Sequence, residues 1–308
     1  MKNIKIEGPV FPIVTPFIDD KYNQYPIDVK GLRKYVDYLL DNGAHNIMVA
    51  SATSRFAQLT EEEIRLVNDI VIDQVGDRGL AIASTGIMGS TALHLETVRH
   101  AESIGAKVIA AEYPWRFQNL DALADYYKTI VDGTNHIQLL VHVTPGRSEL
   151  GGQFRYDVES LKKICAIPRV IAMKEAAGDK EVSKQIWENL ADDSSIIVAG
   201  RSSETYMASH MHGVHGYFVG TGNIVPQYSM EIYRLVQEGK IDEAQAICDI
   251  HETKFLDKAK KFGWHAALKA GLYEMGIMSL TERPPMVPIH DNERAQLREI
   301  MKECRWIK

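Results

Sequence analysis

Cysteine is scarce in this 308-residue chain: Cys165, Cys248 and Cys304 stand far apart, with no CxxC pair. That argues against a disulfide framework and a cysteine zinc site, and it suits a reducing compartment. An excess of basic charge is also missing. Forty-one acidic against 35 basic residues give a net charge of −6 and a pI near 6.0, so no nucleic-acid or anionic-membrane surface is expected. No apolar run approaches the ~20 residues of a membrane span. The opening "MKNIKIEGPVFPIVTPF" has a charged start, but prolines break its short apolar part, so neither a signal peptide nor a membrane anchor is expected. There is no low-complexity segment, Ser/Gly linker, short-period repeat or GxGxxG turn. What remains is an ordinary globular composition, 45% hydrophobic and 25% charged, and a soluble cytoplasmic protein is the expectation.

Short β-rich runs at 10–17, 46–51, 80–85, 107–113, 137–143, 170–174, 196–200 and 216–220 alternate with amphipathic stretches of helical length. "TEEE" makes Thr60 an N-cap with Glu63 three residues on, a capping box, and Gly43, Gly76 and Gly105 close helices. Strand followed by helix, with no strand doublet and near-continuous apolar strands, predicts a parallel sheet covered on both faces. Eight such units in about 240 residues fit a closed TIM (β/α)8 barrel; a doubly wound sheet is the alternative. Helical pattern at 227–238, 241–260, 264–276 and 291–304 predicts a C-terminal helical extension. Residues 1–225 are read as the barrel strands and most helices. Residues 226–308 are read as the last barrel helix and the extension, in one continuous structural unit.

"VIAMKEAAGD" raises the chemical question, because one lysine ends an otherwise apolar run. Side chains alternate along a strand, so Val170, Ala172 and Lys174 are expected on one face and Ile171, Met173 and Glu175 on the other. With the first set inward, Lys174 stands at the top of strand six in the barrel mouth, where TIM-barrel active sites lie. Apolar surroundings disfavour the charged amine, and a neutral amine condenses with a ketone to form a Schiff base. The plain alternative is a strand-ending lysine paired with an acid.

"VIAMKEAAGDKEVSKQI" resembles the Schiff-base-lysine segment of the dihydrodipicolinate synthase / N-acetylneuraminate lyase family. "GPVFPIVTPF", "QLTEEE", "STGIMGSTALHLETVRHAESIGAKVI", "GVHGYFVGTGNIVPQ" and "RPPMVPI" are similar to other family segments, in order, across about residues 7–303. The resemblance implies a commonly tetrameric TIM barrel that handles pyruvate or another 2-keto acid as a covalent imine, here on Lys174, with no separate cofactor and no metal.

The departures from the family pattern are specific. The carboxylate-binding motif after strand two reads "SATSR" here; Ser51, Ala52 and Thr53 keep backbone N–H donors, and Arg55 offers a carboxylate fork or a rim salt bridge. Strand five reads "LLVHVTPGRS". Anchoring on Pro145 and Arg147 puts His142 at the family's acid/base tyrosine, whereas anchoring upstream puts Val141 there. A histidine is a competent general acid or base near neutral pH. Arg147 matches an arginine that holds a second carboxylate in the synthases. "EYPWRF" brings Glu112, Tyr113 and Trp115 to the end of strand four, without the family's Thr–Tyr–Tyr proton relay, and Arg201 follows strand seven. His210, His212 and His215 in "HMHGVHG" read as a helix end rather than a metal site.

The expected function is therefore a class I lyase, an aldolase or dehydratase, acting on pyruvate or a 2-keto-3-deoxy sugar acid. The alternatives are a non-catalytic keto-acid-binding or structural relative, and a synthase-like condensation. The expected partners are the small-molecule acid and further copies of the chain in a dimer or tetramer.

Overall fold

Eight strands pair in parallel and in chain order, and the last closes on the first. They are β1 (Gly8–Pro12), β2 (Asn46–Met48), β3 (Leu80–Ser84), β4 (Val108–Glu112), β5 (Gln138–His142), β6 (Val170–Glu175), β7 (Ser195–Val198) and β8 (Gly216–Phe218). The computed structural model describes residues 3–20, 24–50, 52–86, 89–113, 117–142, 157–191, 195–200 and 202–308. The protein is a TIM barrel. Its helices are α1 (Val29–Asp41), α2 (Glu61–Val75), α3 (Thr91–Ser103), α4 (Leu120–Asp132), α5 (Val158–Cys165), α6 (Lys180–Leu190), α7 (Ser202–Ser209) and α8 (Pro226–Gln237). Beyond them lie α9 (Ile241–Cys248), α10 (Lys254–Ala259), α11 (Trp264–Glu274) and α12 (Asp291–Glu303).

Every strand lies within or beside its expected run, but most are shorter. The first ends at Pro12, whose ring nitrogen has no hydrogen to give to the ladder. The capping box is present: Thr60 Oγ1 accepts from Glu63 N at 3.3 Å, and Glu63 accepts from Thr60 N at 3.0 Å. The same Glu63 carboxylate pairs with Arg283, which ties α2 to the segment before α12.

Inward residues form a compact lumen of Val10, Met48, Ile82, Ala110, Leu140 and Ile197, while their strand neighbours pack against the helices. Strand six departs from strict alternation. Val170 packs in the helical layer, and Ile171 and Ala172 both enter the lumen, because a register shift opposite Leu139 and Leu140 accommodates one extra residue. The expected common face of Val170, Ala172 and Lys174 therefore holds only for the last two.

The stretch 241–260 is not one uninterrupted α-helix. Residues Asp249–Thr253 form a π-helical turn between α9 and α10, and a short 3-10 turn follows at Lys260–Phe262. The extension then folds back over the C-terminal end of the barrel. Trp264 lies so close to Gly220 that a Cβ there would stand 2.2 Å from the indole. Among the described residues no helix is long and apolar enough to cross a membrane.

Candidate active site

Parallel pairing sets three polar side chains at one height. Glu112 is the register partner of His142, and His142 of Lys174, so β4 and β5 end on the first two and Lys174 stands one residue before the end of β6. All three line a cavity of about 530 Å³ at the C-terminal mouth of the barrel. The histidine question resolves on parity: Val141 is buried in the helical layer, and His142 faces the cavity.

Lys174 is half-buried, with Nζ 4.7 Å from the centroid of the Phe218 ring on β8. Its neighbour Glu175 points the other way and is consumed by structure. It accepts from Ala177 N at 2.6 Å, Ser183 Oγ at 3.0 Å and Trp187 Nε1 at 3.2 Å, anchoring α6 beneath the loop. Two adjacent charged residues thus have opposite duties.

His142 turns Nδ1 to Glu112, 3.0 and 2.9 Å from its two oxygens. A carboxylate only accepts, so Nδ1 carries the proton and, in the neutral ring, Nε2 is the basic nitrogen. Glu112 is itself held: its N–H donates to Thr85 Oγ1 at 2.9 Å, and its carbonyl accepts from Tyr126 at 2.8 Å. Tyr126 is also 2.7 Å from His94 Nδ1. Burial pushes the Tyr126 hydroxyl above its ordinary range, with the Glu112 charge adding to the effect. Burial pulls His94 down, against the opposing pull of Glu112.

Ala52 and Thr53 line the cavity beside Pro12, Met48 and Ala50. Ser54 fixes their turn by accepting from Ala50 N at 3.0 Å and donating to Ile13 O at 2.8 Å. Arg55 differs from expectation. It takes a left-handed backbone conformation (φ 66°), and its guanidinium is committed to Glu282 at 2.7 Å, with further donations to the Thr53 and His265 carbonyls. Both side chains are 2% exposed, so Arg55 is a buried clamp between the loop and the extension rather than a carboxylate fork. Lys269 completes the cluster 3.5 Å from Glu282; burial lowers its amine to about 8, although the Glu282 charge opposes this.

Tyr113 also departs from the mouth. It is buried in the helical layer, edge-on to Phe117 and His142 at centroid distances of 5.4 and 6.4 Å. Ser51, Trp115, Arg147 and Arg201 lie outside the described residues. His210 and His215 stack edge-on at 5.7 Å, and among the described residues no three His, Cys, Asp or Glu side chains are grouped to hold a metal ion.

Sequence reasoning missed the wall supplied by the extension: Glu252, Leu256, Lys260 and Trp264. A signal existed. Ala244, Cys248, Phe255 and Ala259 are the buried stripe of this stretch, and Glu252, four after Cys248, falls on it.

The model of the dihydrodipicolinate synthetase family matches residues 5–304. The chain belongs to the dihydrodipicolinate synthetase family. Within that family it is 26% identical over 305 residues to a 4-hydroxy-tetrahydrodipicolinate synthase of Methanopyrus kandleri, covering 97% of this chain and 96% of that one. It is likewise 26% identical to an uncharacterized DapA-like lyase of Pyrobaculum arsenaticum, covering 99% of this chain and all of the other. A crystal structure of a putative dihydrodipicolinate synthetase from Pseudomonas aeruginosa superposes with a TM-score of 0.86 at 21% identity, covering 98% of this chain and 100% of that one. The Acinetobacter baumannii synthase, solved with pyruvate, superposes at 0.82 and 24% identity, covering 98% and 100%. At those identities the superpositions speak for the family's fold.

Proposed function

We propose that the protein is a class I lyase that binds a 2-keto acid as an imine on Lys174. The observation that carries this reading is the level row of Lys174, His142 and Glu112 across three adjacent strands in one cavity. Lys174 Nζ adds to the C2 carbonyl, and loss of water from the carbinolamine leaves a protonated imine that draws electrons from C3. His142 is the general base and acid, its proton held on Nδ1 by Glu112. In retro-aldol cleavage it takes the C4 hydroxyl proton as C3–C4 breaks. In dehydration it takes the C3 proton and delivers it to the hydroxyl, which leaves as water.

The substrate carboxylate rests on the Ala52–Thr53 turn, whose two N–H groups have no acceptor among the described residues. Pyruvate and 2-keto-3-deoxy sugar acids both meet these requirements. The curated relatives named as synthases favour, as a second reading, the bond-forming direction with pyruvate and an aldehyde. A homo-oligomer is part of the proposal; light scattering after size exclusion measures it, and one similar solved structure is of a monomeric synthase variant.

Borohydride trapping with pyruvate, read by intact mass and peptide mapping, is the test. A pyruvyl adduct on Lys174 that is absent from Lys174→Ala is the expected result. If pyruvate and larger 2-keto acids leave Lys174 unmodified in folded protein, a non-catalytic relative becomes the better description.

A further inference from the structure

The cavity has two polar ends. One is the row on β4, β5 and β6. The other comes from the extension, where Glu252, Lys260 and Trp264 join Thr221 of the turn after β8. Glu252 rides on the π-helical turn at Asp249–Thr253. Such single turns insert one residue into a helix and occur disproportionately at functional sites.

Glu252 is 5% exposed, and among the described residues its polar partners are Ser203 and Thr221. One oxygen accepts from Ser203 N at 3.1 Å; the other accepts from Ser203 Oγ at 2.5 Å and from Thr221 Oγ1 at 3.4 Å. An ionised carboxylate offers about four lone-pair positions. Among the described residues three are taken, and the fourth belongs to the oxygen that accepts from Ser203 N. Burial raises the carboxyl's pKa, while its Ser203 and Thr221 donors lower it. Tying the loops after β7 and β8 together does not by itself require this group to line a cavity, and a buried carboxylate is costly.

The size of the cavity adds a second argument. At about 530 Å³ it lies within the range of roughly 300–1,000 Å³ that holds drug-sized ligands, far more than a three-carbon acid fills. With the keto group at Lys174, the remaining room runs toward the extension.

We propose that the extension builds a tail subsite in which Glu252 accepts a hydrogen bond from a hydroxyl of the substrate remote from its keto group, with Lys260 at the outer rim. The placement of the keto end rests on the imine reading above. A carboxylate acceptor selects hydroxylated chains over purely aliphatic ones, because an aliphatic tail would leave it buried and unmatched.

The test uses the full chain and two probes. D-Gluconate, a polyhydroxy acid with no ketone, cannot form an imine; its affinity is measured by titration calorimetry. Pyruvate is followed in parallel by borohydride trapping. Glu252→Ala removes the acceptor, and Glu252→Gln keeps the shape, so it serves if the alanine variant fails to fold. The expected result is a loss of gluconate affinity in Glu252→Ala that exceeds any loss with pyruvate at least tenfold, with a smaller loss in Glu252→Gln. Equal losses on both probes, unchanged gluconate affinity, or no gluconate binding to the wild type would each overturn the subsite. If gluconate binding depends on Glu252 while pyruvate never traps on Lys174, the subsite stands and the imine reading falls.

Discussion

Glu112 and His142 end neighbouring strands as register partners, and both carboxylate oxygens lie within 3.0 Å of the histidine's Nδ1. The pair therefore fixes which ring nitrogen can exchange a proton with a ligand. It does so beside Lys174, the next register partner along.

This relationship separates binding from proton transfer. His142→Gln is expected to lower turnover by about 10²–10⁴-fold, the usual worth of a positioned acid/base, while pyruvate still traps on Lys174. Glu112→Leu should act in the same direction by releasing the tautomer. Steady-state kinetics run beside trapping checks both; loss of trapping in His142→Gln would mean that the histidine is needed to form the imine itself.

Lys174 and Glu175 are expected to respond oppositely to removal. Glu175→Ala strands the buried Ser183 and Trp187 donors, each costing about 1–3 kcal/mol, and the half-buried Ala177 N–H, so its urea midpoint should fall clearly. Lys174→Ala should keep a near-native midpoint and lose adduct formation. Similar midpoints in the two variants would contradict the division of labour.

The Arg55–Glu282 pair makes a prediction about stability. Glu282→Ala leaves the Arg55 guanidinium and the Lys269 amine buried without their shared anion, a change worth about 3–5 kcal/mol. Because Arg55 also grips the Thr53 carbonyl, pyruvate affinity should fall with it. Denaturant unfolding and trapping at graded pyruvate concentrations measure the two effects.

Lys269 adds a pH dependence with a definite sign. Its amine titrates near 10.5 when unfolded and about 8 when folded, so between these values the unfolded chain holds the extra proton. Its contribution to stability therefore rises from pH 8 to 10.5, by about 3 kcal/mol at one pKa unit per 1.36 kcal/mol. Unfolding of wild type and Lys269→Met across that range should show the wild type gaining on the variant. A constant difference would mean that the folded amine titrates at its ordinary value.

Gly220 is expected to tolerate no side chain. A Cβ there meets Trp264 Cζ2 at 2.2 Å and can be housed only by moving the extension. Gly220→Ala should cost about 1–3 kcal/mol, as overpacking does, and shift tryptophan fluorescence. An unshifted spectrum with full stability would show that the indole yields freely.

The barrel and the inward lysine were legible because they rest on period-two patterning and on a mouth position, which sequence carries directly. His142 against Val141 became decidable only with parity, and parity needs the strand's pairing partners. Arg55 stayed open between a carboxylate fork and a rim salt bridge, and its burial was not foreseen, because its partner, Glu282, lies 227 residues away, a separation no local pattern reports. Tyr113 fell to the same alternation that places Glu112 inside. Glu252 was overlooked because an acid within a long amphipathic helix ordinarily faces water, and only its place on the apolar stripe argued otherwise.

The extra residue in β6 sits at the floor of the barrel, opposite Leu139 and Leu140, and pairing is regular again from Ala172 upward. Chain length at the floor and aim at the mouth are thereby uncoupled. Removing Ile171 would shorten the lower rim and leave Lys174 pointing inward. Removing Met173, two positions higher, would rotate the amine into the helical layer. A lineage could lengthen or trim the underside of this strand without disturbing its chemistry, but only below the bulge.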